Sequence, residues 1–291
     1  MKQVVVISGK GGTGKTSITG CLAALAGEER SALPVMVDCD VDAPNLHLLL
    51  GGSEISRENF SGPKLAVIDR SKVSDLEACE KSCRFGAIVG LEVDPLKCVG
   101  CGVCELVCGS SAVKMIEREA ATVLERKTAY GKLFHGRLRP GQPGFGGLIT
   151  ALRMKGEELA MGDPDSLMIL DGSPGIGCQV IASLTGCDLA LLVTEPGVGA
   201  LSDLERIYQL LKFFGIRAIA VINRYNLDRS LTGEVERFCL NNDIAVVGKI
   251  PFDSVFSEAA IAGRPAVEIA PAGLKQSLIG IYKKTREALY E

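Results

Sequence analysis

Six short apolar runs rich in β-branched residues punctuate the chain, at residues 4–7, 35–37, 167–170, 189–193, 219–222 and 245–250. Helix-length stretches separate most of them, and continuous rather than alternating hydrophobicity marks strands covered on both faces. The pattern predicts an α/β fold, a mostly parallel sheet flanked by helices. In such sheets binding residues gather just beyond the carboxyl ends of the strands. Polar candidates stand at those places here: a glycine-rich stretch after Ile7, Asp38 after Val37, Asp171 after Leu170 and Asn223 after Ile222. Residues 273–291 put Leu274, Leu278, Ile281, Tyr282 and Leu289 at helical spacing, and the mixed sign of the charges between them favours packing on the sheet over a membrane surface.

The rhythm breaks between about residues 60 and 116, where cysteine, glycine and proline interrupt short segments. The organisation expected is one domain in two parts, residues 1–59 and 118–291, with an inserted domain at 60–117. Inside the insert a repeat of 25 residues shows in the spacing: Asp69, Lys72, Cys79, Glu80, Cys83 and Ala87 recur as Asp94, Lys97, Cys104, Glu105, Cys108 and Ala112. Beyond it, residues 126–139 set Arg126, Lys127, Lys132, His135, Arg137 and Arg139 around Tyr130 and Phe134. That composition reads as a solvated basic hairpin, with a docking patch for an acidic partner or nucleic acid as the alternative. Residues 141–147 read as a flexible loop.

Composition narrows the classes. With 291 residues and a net charge of −3, the chain can bury a sizeable core and carries no global field that would draw nucleic acid or an anionic membrane. No membrane span and no export signal are read, so a cytoplasmic location is expected. Six of the eleven cysteines fall between Cys79 and Cys108, which in a chain without an export signal favours metal binding over disulfides. The other five, Cys21, Cys39, Cys178, Cys187 and Cys239, are expected to be small buried side chains.

The most specific motif is Gly9-Lys10-Gly11-Gly12-Thr13-Gly14-Lys15-Thr16, a phosphate loop whose glycines let backbone N–H groups wrap phosphate while Lys15 and Thr16 meet phosphate and Mg2+. A second lysine, Lys10, lies beyond what such a loop requires. With it the motif resembles the deviant Walker A loop of the MinD/ParA/Mrp ATPases. The resemblance covers nearly the whole chain outside the insert and implies an ATP site with Mg2+. It implies that Lys15 contacts phosphate within its own subunit, that Lys10 reaches across an ATP-dependent homodimer to the partner's nucleotide, and that Asp40, in Asp38-Cys39-Asp40, positions the attacking water. Thr16, Asp38 and Asp171 would serve Mg2+, directly or through water, although strand-end aspartates also cap helices. Asn223-Arg224 and Pro251-Phe252-Asp253 resemble the family's adenine-recognition segments, with ordinary turn chemistry as the other reading.

The run Cys98-Val99-Gly100-Cys101-Gly102-Val103-Cys104 resembles a bacterial two-cluster ferredoxin, and its place matches a MinD-like subgroup that carries an inserted ferredoxin domain. In such ferredoxins each triplet holds one cluster and takes its fourth ligand from the other repeat. The resemblance therefore implies one 4Fe-4S cluster on Cys83, Cys98, Cys101 and Cys104. The first repeat departs from the pattern, with Val73 and Leu76 where two ligands would stand, so Cys79 and Cys108 lack companions. A half-site borrowing ligands from a partner, and a zinc knot, stay open as alternatives.

The leading expectation is an ATPase whose dimer cycle is coupled to electron transfer, or to iron-sulfur or metal-cofactor assembly, with a redox or assembly partner protein. A ParA- or MinD-type positioning switch on DNA or a membrane, and a ligase phosphorylating a carboxylate, are the alternatives.

Overall fold

The structure is a computed structural model that describes residues 1–29, 33–109, 111–161 and 165–291. The chain runs β1 (Lys2–Ile7), α1 (Lys15–Glu28), β2 (Val35–Asp38), α2 (Leu46–Leu50) and β3 (Ser53–Ser61), then β4 (Leu65–Ile68), α3 (Leu76–Lys81), β5 (Ile88–Val89), β6 (Glu92–Val93), α4 (Val103–Cys108) and β7 (Val113–Ile116). After β8 (Glu119–Lys127), β9 (Lys132–Leu138) and α5 (Gly146–Ala160) come β10 (Leu167–Asp171), α6 (Cys178–Leu184), β11 (Leu189–Thr194), α7 (Ala200–Phe214) and β12 (Arg217–Asn223). The chain closes with α8 (Arg229–Asn241), β13 (Ala245–Ile250), α9 (Val255–Ala262), α10 (Ala266–Ile269) and α11 (Ala272–Tyr290). Two compact units result. The larger comprises Met1–Arg57, Val123–Gly136 and Gly144–Glu291; the smaller comprises Glu58–Thr122 and Arg137–Pro143.

Among the described residues nine strands form one sheet in the order β13-β12-β11-β1-β10-β2-β9-β8-β3. All six apolar runs are strands of it, and β1, β2, β10, β11, β12 and β13 pair in parallel. Successive residues of β1 serve opposite faces, and Val4, Val5, Val6 and Ile7 are all buried, which is why the run is continuous. Val4, Val6, Ile169, Leu191 and Val221 join Ile18 and Leu22 of α1 and Leu278 and Ile281 of α11 in one core. A Cβ at Gly248 of β13 would lie 2.3 Å from Ile281, so the glycine is what lets α11 lie close. The chain leaves β1 toward β2 on one side and later adds β11, β12 and β13 on the other. That reversal at β1 opens the crevice where such sheets bind ligands.

Three expectations need correction. The hairpin of β8 and β9 exists, but Phe134 and His135 are buried, Lys132 pairs with Glu125 at 2.8 Å and Arg126 donates to the Gly51 carbonyl at 3.2 Å. It is a sheet element buried at its centre, and of the basic residues Lys127, Arg137 and Arg139 are exposed as expected. The stretch expected as a flexible loop already turns into α5 at Gly146, where the missing side chain lets the helix approach Ala182 and Cys178. Four of the five scattered cysteines are buried as expected, but Cys178 is exposed because it opens α6 directly after a glycine-rich turn. Among the described residues no helix is long and apolar enough to cross a membrane.

The smaller unit displays the repeat in three dimensions. β4 pairs antiparallel with β7, and β5 with β6. The Asp69 N–H donates to the Ala112 carbonyl at 2.7 Å, and its counterpart 25 residues on, Asp94, donates to the counterpart Ala87 at the same 2.7 Å. Asp69 and Asp94 also accept from the backbone two residues ahead, at Ser71 and Leu96. The two halves are thus related by an approximate twofold that exchanges Cys79 with Cys104 and Cys83 with Cys108.

Candidate functional site

The loop after β1 carries the phosphate motif. A Cβ at Gly9 would sit 2.4 Å from the Asp203 carbonyl, and Gly14, at φ +93°, would bring one within 2.5 Å of Asn223 Nδ2. Glycine alone fits both places. Asn223 Nδ2 donates to the Thr13 carbonyl at 2.8 Å and so ties the end of β12 to the loop. The loop leads into α1, whose N-terminus aims N–H groups and the positive end of its dipole at the same spot, with no acidic residue in the first turn. The Thr13 hydroxyl is buried and finds no hydrogen-bond partner among the described residues, as suits a loop built around an anion.

Lys15 is buried, and burial holds its ammonium below the ordinary lysine range against the pull of Asp171 and Asp40. Thr16 Oγ1 donates to Asp171 Oδ2 at 2.6 Å, and Thr19 Oγ1 donates to Asp171 Oδ1 at 3.0 Å. Burial pushes the Asp171 carboxyl up to about 6, while Thr16, Lys15 and Thr19 pull the other way. Asp38 lies beside Asp171 in the register of β2 and β10. Burial first, and Asp171 second, drive it well above the usual carboxylate range, although the N–H groups of Leu46 and Asp40 donate to it at 3.0 and 3.1 Å. Asp40, half-buried, is raised chiefly by burial and lowered by Lys15. Three carboxyls thus crowd one another, and one lysine offsets two of them, Asp171 and Asp40. This set fits Mg2+: a hydroxyl and carboxylates are hard oxygen donors, and their excess negative charge is what a divalent cation relieves. Among the described residues no three His, Cys, Asp or Glu side chains converge on one point. Mg2+ in phosphate loops needs no such cage, since waters and phosphate oxygens complete its shell.

Lys10 is held within its own chain, 3.0 Å from Glu195 Oε1. The other Glu195 oxygen lies 2.7 Å from Arg224 NH1, which also donates to the Gly12 carbonyl at 3.1 Å. Glu195, the residue after β11, was not anticipated; a single carboxylate beyond a strand is too common a feature to mark it. Asn223, Arg224, Pro251, Phe252 and Asp253 line one recess, joined by the unanticipated Phe256, and the two phenylalanines give it flat apolar surface. Asp253 also caps α9 through the Val255 N–H at 2.9 Å. Ser173 Oγ donates to the Cys39 carbonyl at 2.5 Å, and Gln179 Nε2 donates to Asp42 at 2.7 Å, tying the loop after β10 and the first turn of α6 to the loop after β2. Neither link had a legible motif.

In the smaller unit Cys83, Cys98, Cys101 and Cys104 are free thiols lining one recess. Their chemistry fits an iron-sulfur cluster. Four soft donors surround a cavity rather than a point, as suits a cluster in which each thiolate binds a different iron, and the Ala87 N–H already donates to Cys83 Sγ at 3.3 Å. Burial raises the Cys104 thiol, and neighbouring Cys98 and Cys101 push it the same way, a penalty that bound metal reverses. The idea that Cys79 and Cys108 form a half-site borrowing outside ligands is overturned, because the two are joined by a disulfide. Of the residues that replace the missing ligands, Val73 packs into the small core while Leu76 stays exposed.

The sheet and the phosphate cradle define a P-loop nucleotide-binding protein. Residues 4–266 match the CobQ/CobB/MinD/ParA nucleotide binding domain, CbiA, and the chain belongs to that family. It is similar to an uncharacterized protein of Methanocaldococcus jannaschii, 29% identical over 292 residues covering 98% of this chain and 96% of the relative. An iron-sulfur cluster carrier protein of Pyrococcus abyssi is 23% identical, covering 99% of this chain and 87% of that protein. The solved septum site-determining protein MinD of Pyrococcus horikoshii, complexed with Mg-ADP, shares the fold with a TM-score of 0.61 at 18% identity, over 98% of this chain and 95% of that one.

Proposed function

We propose that the chain is a Mg2+-dependent ATPase that carries one 4Fe-4S cluster on Cys83, Cys98, Cys101 and Cys104, and that a nucleotide-driven homodimer cycle acts on that cluster to pass electrons or to serve iron-sulfur or metal-cofactor assembly. The observation that carries the reading is the pairing within one chain of a complete phosphate cradle with four free thiols around a single recess, the two surplus cysteines being tied to each other. A relative named as an iron-sulfur cluster carrier protein lends it support.

Phosphoryl transfer asks the protein mainly to position groups and neutralise charge. Lys15 offsets phosphate charge, Thr16 and Asp171 hold Mg2+ with Asp38 behind them, and Asp40 at the mouth orients water. Lys10 must leave Glu195 before it can reach a second subunit's nucleotide. Since a ligand shifts a conformation only through unequal affinity for its two states, that exchange of partners is where ATP would bias the dimer. Iron bound at the four thiols supplies one-electron chemistry or a transferable cluster; the chain's part is to hold it and present it to a partner protein.

The test is iron and acid-labile sulfide per chain on anaerobically prepared protein, with a low-temperature EPR spectrum after reduction. About four of each and one 4Fe-4S signal are expected. Absence of iron after reconstitution, or full ATPase activity in Lys15→Ala, overturns the proposal. ATP-dependent pelleting with DNA or liposomes would instead favour a positioning switch.

A further inference from the structure

The twofold of the smaller unit places two cysteine pairs in equivalent positions with different fates. Cys104 and Cys83 are free and line the recess, whereas their images, Cys79 and Cys108, are bonded to each other. The pairs interlock along the chain. α4 carries both Cys104 and Cys108, one helical turn apart. α3 carries Cys79, and one turn further on the chain reaches Cys83, whose N–H donates to the Glu80 carbonyl at 3.2 Å. The disulfide therefore ties together the two segments that supply Cys83 and Cys104, and does so inside the same small core: Cys79, Cys104, Cys83, Cys98 and Cys108 pack with Ala66 and Val113. α3 and α4 are short helices of six residues, and beside the disulfide only their packing on each other, on β5 and β7 and in the small core sets their separation. Access is one-sided, since Cys79 is fully buried and Cys108 is partly exposed.

The geometry points to the Cys79–Cys108 disulfide as a thiol-operated lock on the ligand recess, one that a dithiol reductant opens and whose opening loosens the hold of Cys83, Cys98, Cys101 and Cys104 on an iron-sulfur cluster. The inference rests on the cluster reading above. The reductant's thiolate attacks Cys108 Sγ, forming a mixed disulfide and expelling the Cys79 thiolate, which takes a proton. The reductant's second thiolate then attacks its own sulfur in the mixed disulfide. Cys108 leaves as a thiolate and is protonated, and the reductant ends as a disulfide. Two electrons and two protons pass to the chain. The freed Cys79 and Cys108 then stand one turn from two ligands, with no covalent tie holding the segments at the spacing a cluster needs.

The test uses the full chain. The apoprotein, denatured and alkylated, takes up nine labels without reductant and eleven after dithiothreitol, because nine cysteines are free and two are paired. Under native conditions the first sulfur trapped by the dithiol is Cys108. Iron-loaded protein is then challenged with a chelator, with the disulfide intact, with it opened by a phosphine that does not bind iron, and in Cys79→Ser/Cys108→Ser. Iron loss about tenfold faster in both opened forms is expected, since loop closure restrains the intact form. Should the double variant fail to fold, the phosphine arm stands alone. Eleven labels without reductant, or iron loss at one rate in all forms, overturns the lock while leaving the cluster reading in place. Failure of the parent chain to take up iron overturns both.

Discussion

Replacing Asp171 by asparagine should stabilise the nucleotide-free chain while destroying its proposed activity. Asp171 is buried, and its carboxyl is pushed from 3.8 up to about 6, chiefly by burial. Well below pH 3.8 the carboxyl is protonated in both folded and unfolded chains and costs nothing. As pH rises toward 6 the unfolded chain releases its proton while the folded chain keeps it, so stability falls, and above about 6 the full penalty stands. A rise from 3.8 to about 6 corresponds to roughly 3 kcal/mol. Asparagine removes that penalty but keeps one acceptor oxygen where Thr16 and Thr19 donate to two, a loss of about 1 kcal/mol. The net gain is about 2 kcal/mol at neutral pH. Urea unfolding in EDTA, at about pH 7.5 and about pH 4.5, should show the Asp171→Asn midpoint higher by about 1 M at the first pH and nearly level with the parent at the second. A variant no more stable than the parent at neutral pH, or an advantage independent of pH, would refute the claim that the cradle stores an uncompensated charge. Mg-ATP hydrolysis should be lost in the same protein.

Three further outcomes are expected. Lys10→Ala should bind ATP as a monomer and sediment without the ATP-dependent dimer; an unchanged dimer would contradict the role given to Lys10. Gly14→Ala, at φ +93° and with its Cβ 2.5 Å from Asn223 Nδ2, should cost about 1–2 kcal/mol of local strain and lower nucleotide affinity roughly tenfold in a titration. Cys79→Ala/Cys108→Ala opens a closure of 29 residues and should lower the local stability of the smaller unit by about 3–4 kcal/mol, read as loss of amide exchange protection at Ala66 and Val113 in the full chain.

What the sequence made legible follows from how strongly each feature is enforced locally. Strands buried on both faces must be apolar throughout, so β1, β10 and β11 announce themselves. β3, from Ser53 to Ser61, is exposed along almost its whole length and owes its conformation to pairing at the edge, which leaves no run to read. The phosphate loop was legible because backbone geometry admits few alternatives to its glycines. Glu195 was not, because its meaning comes from Lys10 and Arg224, which reach it from two other loops. The spacing of the cysteines marked four of them as a set, but that Cys79 and Cys108 join each other depends on how the two repeats fold together. Cys178 went astray for the opposite reason: apolar neighbours in sequence say little about a residue at the first turn of a short helix.

Glu195 also imposes a symmetry of effect. One carboxylate serves Lys10 with one oxygen and Arg224 with the other, and Arg224 in turn touches the phosphate loop and borders the recess beyond β12. Two ends that share one counter-charge cannot be energetically independent. If a molecule seated near Arg224 makes Lys10 easier to detach by some factor, detaching Lys10 must strengthen that molecule's hold by the same factor. A second subunit that captures Lys10 would therefore act as an effector of nucleotide affinity without touching the base.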